Sequence, residues 1–282
     1  MSVFNELKLK DYVTLLGTMF GASVIILSIL GVLSPDDYLL PWAALMWAGA
    51  MTCDLLDGYV ARKLNQVNKI GKEIDSLSDA VSFVVAPSVL ILCASLDGDF
   101  PIFGLPAEGV MIGVFVLIFF GITRLAWFNV ENKGEGYIGI TTPMSAAFLV
   151  SFFLSNHYFQ QLATYLPSYY NAMAPISYFF SNTLTVTFFC IILGLLNVAP
   201  FLRYGAKVQL RTGIWKYFIF ILGTLIVITI VLARGFMGTS FAKFAAHIFP
   251  LIFVFCLLGY FAYGFYNYLA IRSRGELENS KN

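Results

Sequence analysis

Apolar runs of about twenty residues, the length a helix needs to cross a bilayer, recur along the chain with short polar stretches between them. They predict eight membrane-spanning helices, over residues 12–33, 41–62, 75–96, 108–128, 138–158, 182–202, 214–233 and 244–270. The expected fold class is therefore all-α, a polytopic, multi-pass integral membrane protein. The first run is long enough to span and lacks a clear small-residue cleavage site, so it reads as a retained helix rather than a cleaved signal. Ahead of it, Val3, Phe4, Leu7 and Leu9 sit among Glu6, Lys8 and Lys10, the pattern of a short amphipathic segment on the membrane surface. Residues 159–181, with Tyr165, Pro167, Tyr169, Tyr170, Pro175 and Tyr178, read as a long interfacial loop on the outer side. The expected division is an interfacial segment 1–11, a six-helix membrane core 12–202, two additional helices within 203–271, and a polar tail 272–282.

Composition narrows the class. Of the 282 residues 59% are hydrophobic and only 12% charged, which excludes a soluble domain. A formal net charge of +1 gives no reason to expect nucleic acid as a partner. The placement of the charges says more. With the N-terminus in the cytoplasm, every Lys and Arg of the 17 except Arg234 and Lys243 falls on the inner side, as the positive-inside rule expects. Both termini are then cytoplasmic. Asp36, Asp37, Asp97 and Asp99 fall in outer loops, where they are expected to be solvated and inert. Cys53, Cys93, Cys190 and Cys256 lie in apolar segments without paired spacing, so they read as small core residues rather than disulfide or zinc ligands. His157 and His247 read as interfacial or packing residues.

One polar stretch breaks the apolar pattern in a way that carries chemistry. It runs Asp54-Leu-Leu-Asp57-Gly58-Tyr-Val-Ala61-Arg62, then eight residues, then Gly71-Lys-Glu-Ile-Asp75-Ser-Leu-Ser-Asp79. Asp54 and Asp57 are three apart, and Asp75 and Asp79 four apart, so each pair shares one face of a helix. The short basic connection makes the two helices an antiparallel hairpin, and all four carboxylates can converge on one point. Four negative charges at a membrane boundary are costly unless neutralised. Divalent cations that take oxygen ligands, Mg²⁺ or Mn²⁺, are the natural counter-ions.

The pattern D-x-x-D-G-x-x-A-R, eight residues, G-x-x-x-D-x-x-x-D resembles the signature of the CDP-alcohol phosphotransferases, membrane enzymes of phospholipid synthesis. The resemblance implies a transferase that moves a phosphatidyl group from a CDP-activated lipid to an alcohol and releases CMP. It implies a two-metal site on Asp54, Asp57, Asp75 and Asp79, with Asp79 also the catalytic base for the acceptor hydroxyl. It assigns Gly58, Ala61 and Gly71 to accommodating the cytidine nucleotide and Arg62 to the diphosphate. A homodimer is expected from the same family.

The run Asp75-Ser-Leu-Ser-Asp79-Ala-Val-Ser-Phe83, with Ala86-Pro87, looks like the phosphatidylserine synthase branch, whose donor lipid carries acyl or, in ether-lipid analogues, isoprenoid chains. Arg124-Leu-Ala-Trp127-Phe128-Asn129 and Gly139-Ile-Thr141-Thr-Pro143 are looser echoes of that branch. Gly17, Val84, Trp127 and Thr141 depart from its usual residues. The acceptor implied is L-serine; Arg124 and Asn129, at the inner end of the fourth span, are the candidates for its carboxylate and its ammonium, and Arg203 and Lys207 are other inner candidates. The same chemistry with glycerol phosphate, inositol phosphate or choline is the alternative within the class. A cation transporter is the alternative outside it, but would spread acidic residues through the bilayer rather than gather four at the inner boundary.

Overall fold

The apolar runs fold as helices. In the computed structural model, which describes residues 6–34, 38–64, 68–131, 137–204 and 240–279, α1 spans Leu9–Leu33 and α2 Leu39–Leu64. The long rod α3 covers Lys69–Asp97, and α4 covers Val110–Glu131. Then come α5 (Thr142–Tyr165), α6 (Pro167–Phe180), α7 (Thr183–Asn197) and α8 (Ser240–Asn279). Two short strands, β1 (Tyr137–Ile138) and β2 (Arg203–Tyr204), pair antiparallel and join the chain after α4 to the chain after α7. Among the described residues five helices are long and apolar enough to cross a membrane, or six if α6 and α7, bent by 51° at their junction, form one broken span. The eight predicted spans are thus not all matched, and the one over 214–233 lies outside the described residues.

Helix α5 accounts for part of the difference. It falls where a span was predicted, yet it is not among the helices apolar enough to cross. Every residue from Ser145 to Phe159 is buried. A helix enclosed by protein on all sides need not present an apolar surface to lipid, and α5 carries Ser145, Ser151, Ser155, Asn156 and His157 inside. Protein groups satisfy several of them: Ser145 Oγ donates to Asn197 Oδ1 at 2.7 Å. Around α5 the apolar core is continuous, drawing Leu90 and Ile91 from α3, Val114 and Leu117 from α4, and Val254 and Leu257 from α8.

The predicted loop over 159–181 is helical instead. Helix α5 runs on to Tyr165, the chain breaks at Leu166, and α6 starts at once. Pro167 opens α6 within its first turn, where a missing N–H costs no hydrogen bond and the fixed φ favours the helix.

Asp99 is not solvated either. At the end of the bundle away from the motif, its Oδ1 pairs with His157 Nδ1 at 2.9 Å. His157 Nε2 meets Gln161 Nε2 at 3.0 Å, and Lys243 of α8 donates to Gln161 Oε1 at 2.5 Å. One turn along, His247 Nδ1 lies 2.8 Å from the Ser155 carbonyl. The histidines read as packing residues are therefore members of a buried polar network that docks α8 on α5.

Helix α3 has one irregular stretch. Between α-helical Lys69–Asp79 and Ala86–Asp97 it passes through a π-helical turn, Ala80–Val85. Pro87 explains it: the ring has no N–H and would collide with the carbonyl four residues back in a regular helix. The wider turn avoids that collision, and Ala86 N–H donates to Val81 O. The Ser82 carbonyl would pair with Ala86 in an α-helix and with Pro87 in a π-helix, so it has no backbone donor. Trp47 of α2 supplies one, its Nε1–H reaching Ser82 O at 3.1 Å. This bond ties α2 to α3 just beyond Asp79. We expect Trp47→Phe, which keeps the ring and removes the donor, to cost about 1–3 kcal/mol, read as a lower melting temperature of the detergent-purified protein.

Candidate active site

The last turns of α2 carry Asp54, Asp57, Gly58, Ala61 and Arg62, and the first turns of α3 carry Gly71, Asp75 and Asp79. Ligand oxygens of Asp54, Asp57 and Asp75 all lie within 4.8 Å of one another. Asp57 is buried, and Asp54 and Asp75 are half-buried. Three carboxylate oxygens so close repel one another, and an all-oxygen donor set of this kind fits Mg²⁺ or Mn²⁺. Asp79 stands one turn further along α3, half-buried. The charges acting on it are those of Asp54, Asp75 and Asp57, with Arg124 of α4 opposing them.

Helix α1 holds this arrangement. It packs on both α2 and α3, which make few direct contacts with each other along the motif. Hydrogen bonds to both helices fasten it. Thr14 Oγ1 donates to Asp57 Oδ2 at 2.6 Å, Thr18 Oγ1 donates to Ser78 Oγ at 2.8 Å, and Ser78 Oγ donates to the Thr14 carbonyl at 3.2 Å.

A second polar cluster closes the near end. Asp11 is fully buried. Its Oδ2 accepts from Lys8 N–H at 2.8 Å and from Asn68 Nδ2 at 2.9 Å, and its Oδ1 pairs with Lys10 Nζ at 2.9 Å. The Lys10 charge reaches Asp57 and Asp75 as well. These contacts bind the start of α1 to the start of α3.

The glycines of the motif differ. At Gly58 an added Cβ would meet only the Arg62 guanidinium, 3.4 Å away, so this face is open toward that cation. At Gly71 an added Cβ would collide with Asn68, Asp11 and Lys10. Gly71 is therefore needed by the Asp11 cluster itself. Ala61 is half-buried and Arg62 exposed beside it.

Of the residues predicted for the acceptor, Arg124 is buried, with its guanidinium 6.0 Å from the Phe128 ring. Asn129 Nδ2 donates to Ser76 Oγ at 2.7 Å, and Lys72 Nζ donates to the Asn129 carbonyl at 3.3 Å. Both residues thus come to the motif's end of the bundle, and Asn129 is tied to the residue next to Asp75. The departure at Val84 is matched across the helix interface: a Cβ on Gly121 of α4 would lie 2.8 Å from Val84 Cγ1. Sequence reasoning missed Lys10, Asp11, Thr14, Thr18, Asn68, Ser76 and Ser78 as neighbours of the site. The one signal available was the stripe Asp11, Thr14, Gly17, Gly21, at helical spacing and more polar or smaller than its surroundings.

The chain belongs to the CDP-alcohol phosphatidyltransferase family, whose model matches residues 8–181. It is 35% identical over 169 residues to the archaetidylserine synthase of Methanothermobacter thermautotrophicus, covering 58% of this chain and 68% of that one. It is 33% identical over 151 residues to the CDP-diacylglycerol–serine O-phosphatidyltransferase of Methanocaldococcus jannaschii, covering 54% of this chain and 63% of that one. With the enzyme of that name from Bacillus subtilis the identity is 39% over 101 residues, 36% of this chain and 53% of that one. The chain thus spans between about half and two thirds of the length of these relatives.

The two motif glycines should respond differently to a methyl group. We expect Gly71→Ala to cost about 1–3 kcal/mol, the usual range for overpacking, and Gly58→Ala to leave stability within about 0.5 kcal/mol apart from helix propensity. Thermal unfolding of the two purified variants against wild type checks this.

Proposed function

We propose that this chain is a metal-dependent enzyme that transfers a phosphatidyl-type group from a CDP-activated lipid to the hydroxyl of L-serine, releasing CMP. The observation that carries the reading is the convergence of Asp54, Asp57 and Asp75, with Asp79 one turn away, on the family's motif. Relatives named as serine O-phosphatidyltransferases and an archaetidylserine synthase support serine as acceptor.

In this reading the serine oxygen bonds to the phosphorus that carries the lipid. The bond from that phosphorus to the bridging oxygen of CMP breaks, and CMP leaves with that oxygen and its electron pair. Bound Mg²⁺ or Mn²⁺, as a pair held by the four aspartates, supplies the charge neutralisation that phosphoryl transfer requires. Asp79 takes the hydroxyl proton. Any carboxylate is a far weaker base than an alkoxide, so Asp79 does not strip the alcohol beforehand and accepts the proton as the new oxygen–phosphorus bond forms. Arg62, beside the open face of Gly58, suits a diphosphate oxygen pair, with Gly58 and Ala61 on the nucleotide's side, whereas Gly71 faces the Asp11 cluster. Arg124 would meet the serine carboxylate. Because Asn129 commits its amide nitrogen to Ser76, its amide oxygen is the group left to accept from the serine ammonium.

Lys8, Lys10, Arg62, Lys63, Lys69 and Lys72 cluster at the carboxylate end, which supports placing the site, and both termini, at the cytoplasmic face. A homodimer belongs to the same reading through the family.

The test is direct. Purified protein receives CDP-diacylglycerol and Mg²⁺ or Mn²⁺, acceptors are added singly, and CMP is measured. We expect serine-dependent release that falls at least about 100-fold in Asp79→Asn, the lower range for removing a general base. Release only with glycerol phosphate, inositol phosphate or choline would move the chain to another acceptor, and no release with any acceptor and metal would overturn the reading.

A further inference from the structure

We propose that Thr14 of α1 is a positioning residue for the metal site, holding the Asp57 carboxylate in the orientation in which it binds the ion. This inference rests on the proposed function only in taking Asp57 as a ligand.

Thr14 is a threonine inside a membrane helix with two acceptors in reach of its hydroxyl. Such hydroxyls commonly donate to the carbonyl one turn back, and Thr14 has that option, with Lys10 O at 3.1 Å. It also has Asp57 Oδ2 at 2.6 Å, in a buried contact. A hydroxyl carries a single proton. The shorter contact falls in the range of a charge-assisted O–H···O⁻ bond, so the proton lies toward Asp57 and the Lys10 carbonyl is the weaker alternative. Thr18 shows what the ordinary arrangement leaves possible: it approaches its own Thr14 carbonyl at 3.2 Å and Ser78 Oγ at 2.8 Å.

Thr14 is itself held. It is 4% exposed. Its backbone carbonyl accepts from Ser78 Oγ, and Ser78 lies next to Asp79 on α3. Two turns along α1, Gly21 brings it so close to α3 that an added Cβ would sit 2.5 Å from Ser82 Oγ. Its rotation and height against both motif helices are therefore set, and a β-branched side chain has little rotamer freedom in a helix. The hydroxyl is a fixed donor aimed at a fixed acceptor.

The consequence concerns the ion. A carboxylate with one oxygen bonded to a fixed donor has its plane fixed, so its remaining lone pairs meet the ion in a set orientation. Removing such a supporting partner typically costs 10–100-fold in metal affinity. The bond also provides Asp57 Oδ2 with a donor within the protein, since a buried acceptor left unpaired is costly. A purely structural threonine would be replaceable by valine, of the same shape, with no effect on ion binding.

The experiment measures Mn²⁺ binding to the detergent-purified protein without substrate, by the loss of the free aqueous Mn²⁺ electron paramagnetic resonance signal. Wild type, Thr14→Val and Thr14→Ser are compared, with the Mn²⁺ dependence of CMP release as a parallel readout. We expect Thr14→Val to weaken Mn²⁺ binding about 10-fold or more, with CMP release recovered at high Mn²⁺, and Thr14→Ser to stay within about 3-fold of wild type. Should Thr14→Val not be recovered folded, Thr14→Ala makes the same comparison without the second methyl. Wild-type affinity in the hydroxyl-free variant, or equal loss in Thr14→Ser, overturns the inference and leaves the proposed function standing. A wild-type protein that binds no Mn²⁺ overturns the inference together with the metal part of that function, and serine-dependent CMP release reports on the transfer reaction separately.

Discussion

Like charges at close range govern the architecture around the site. Three carboxylate oxygens within 4.8 Å repel one another strongly where the surroundings are less polar than water, and nothing in α2 or α3 alone would hold them so. The two motif helices scarcely touch along this stretch. A third helix, α1, is wedged against both and fastened by hydroxyl bonds on each side. The bundle thus supplies from outside the restraint that the repelling pair cannot, and it leaves the space between the carboxylates for a cation.

The remaining elements extend that restraint. The π-helical turn lets α3 accommodate Pro87 without a kink that would swing Asp75 and Asp79 away, and the Trp47 indole takes up the carbonyl this leaves over. The Asp11 cluster clamps the opposite end of the motif, where α3 begins. Helix α5, enclosed throughout, forms the centre against which α3, α4 and α8 pack. At the far end the chain from Asp99 through His157 and Gln161 to Lys243 secures α8, which lies beyond the stretch matching the family, to that centre. The rigidity of the acidic site is in this sense a property of the whole bundle.

The aspartates were legible in the sequence because spacings of three and four are a local property of a helix, independent of what packs on it. The span positions were legible where helices face lipid and must be apolar. Helix α5 was less so, because burial inside protein frees it from that demand and lets serines, an asparagine and a histidine into a core helix. Pro167 misled for a related reason: a proline reads as a breaker, but at the first turn of a helix it is a start signal. Asp99 and Thr14 owe their partners to residues 58 and 43 positions away, and Asp11 reaches Asn68, 57 away, besides its neighbours Lys8 and Lys10; no local pattern announces the long-range pairs. The glycine at 71 was readable as a close approach, though what approaches in this structure is the protein's own polar cluster.

The central claim is that Asp54, Asp57, Asp75 and Asp79 enclose divalent ions between α2 and α3. Crystals of the protein grown with Mn²⁺, with data collected where manganese scatters anomalously, test it without reference to activity. The account predicts anomalous density among these four side chains, within coordination distance of Asp57. Saturating Mn²⁺ that leaves no such density there, or aspartates turned away from one another around an ion bound elsewhere, would contradict it.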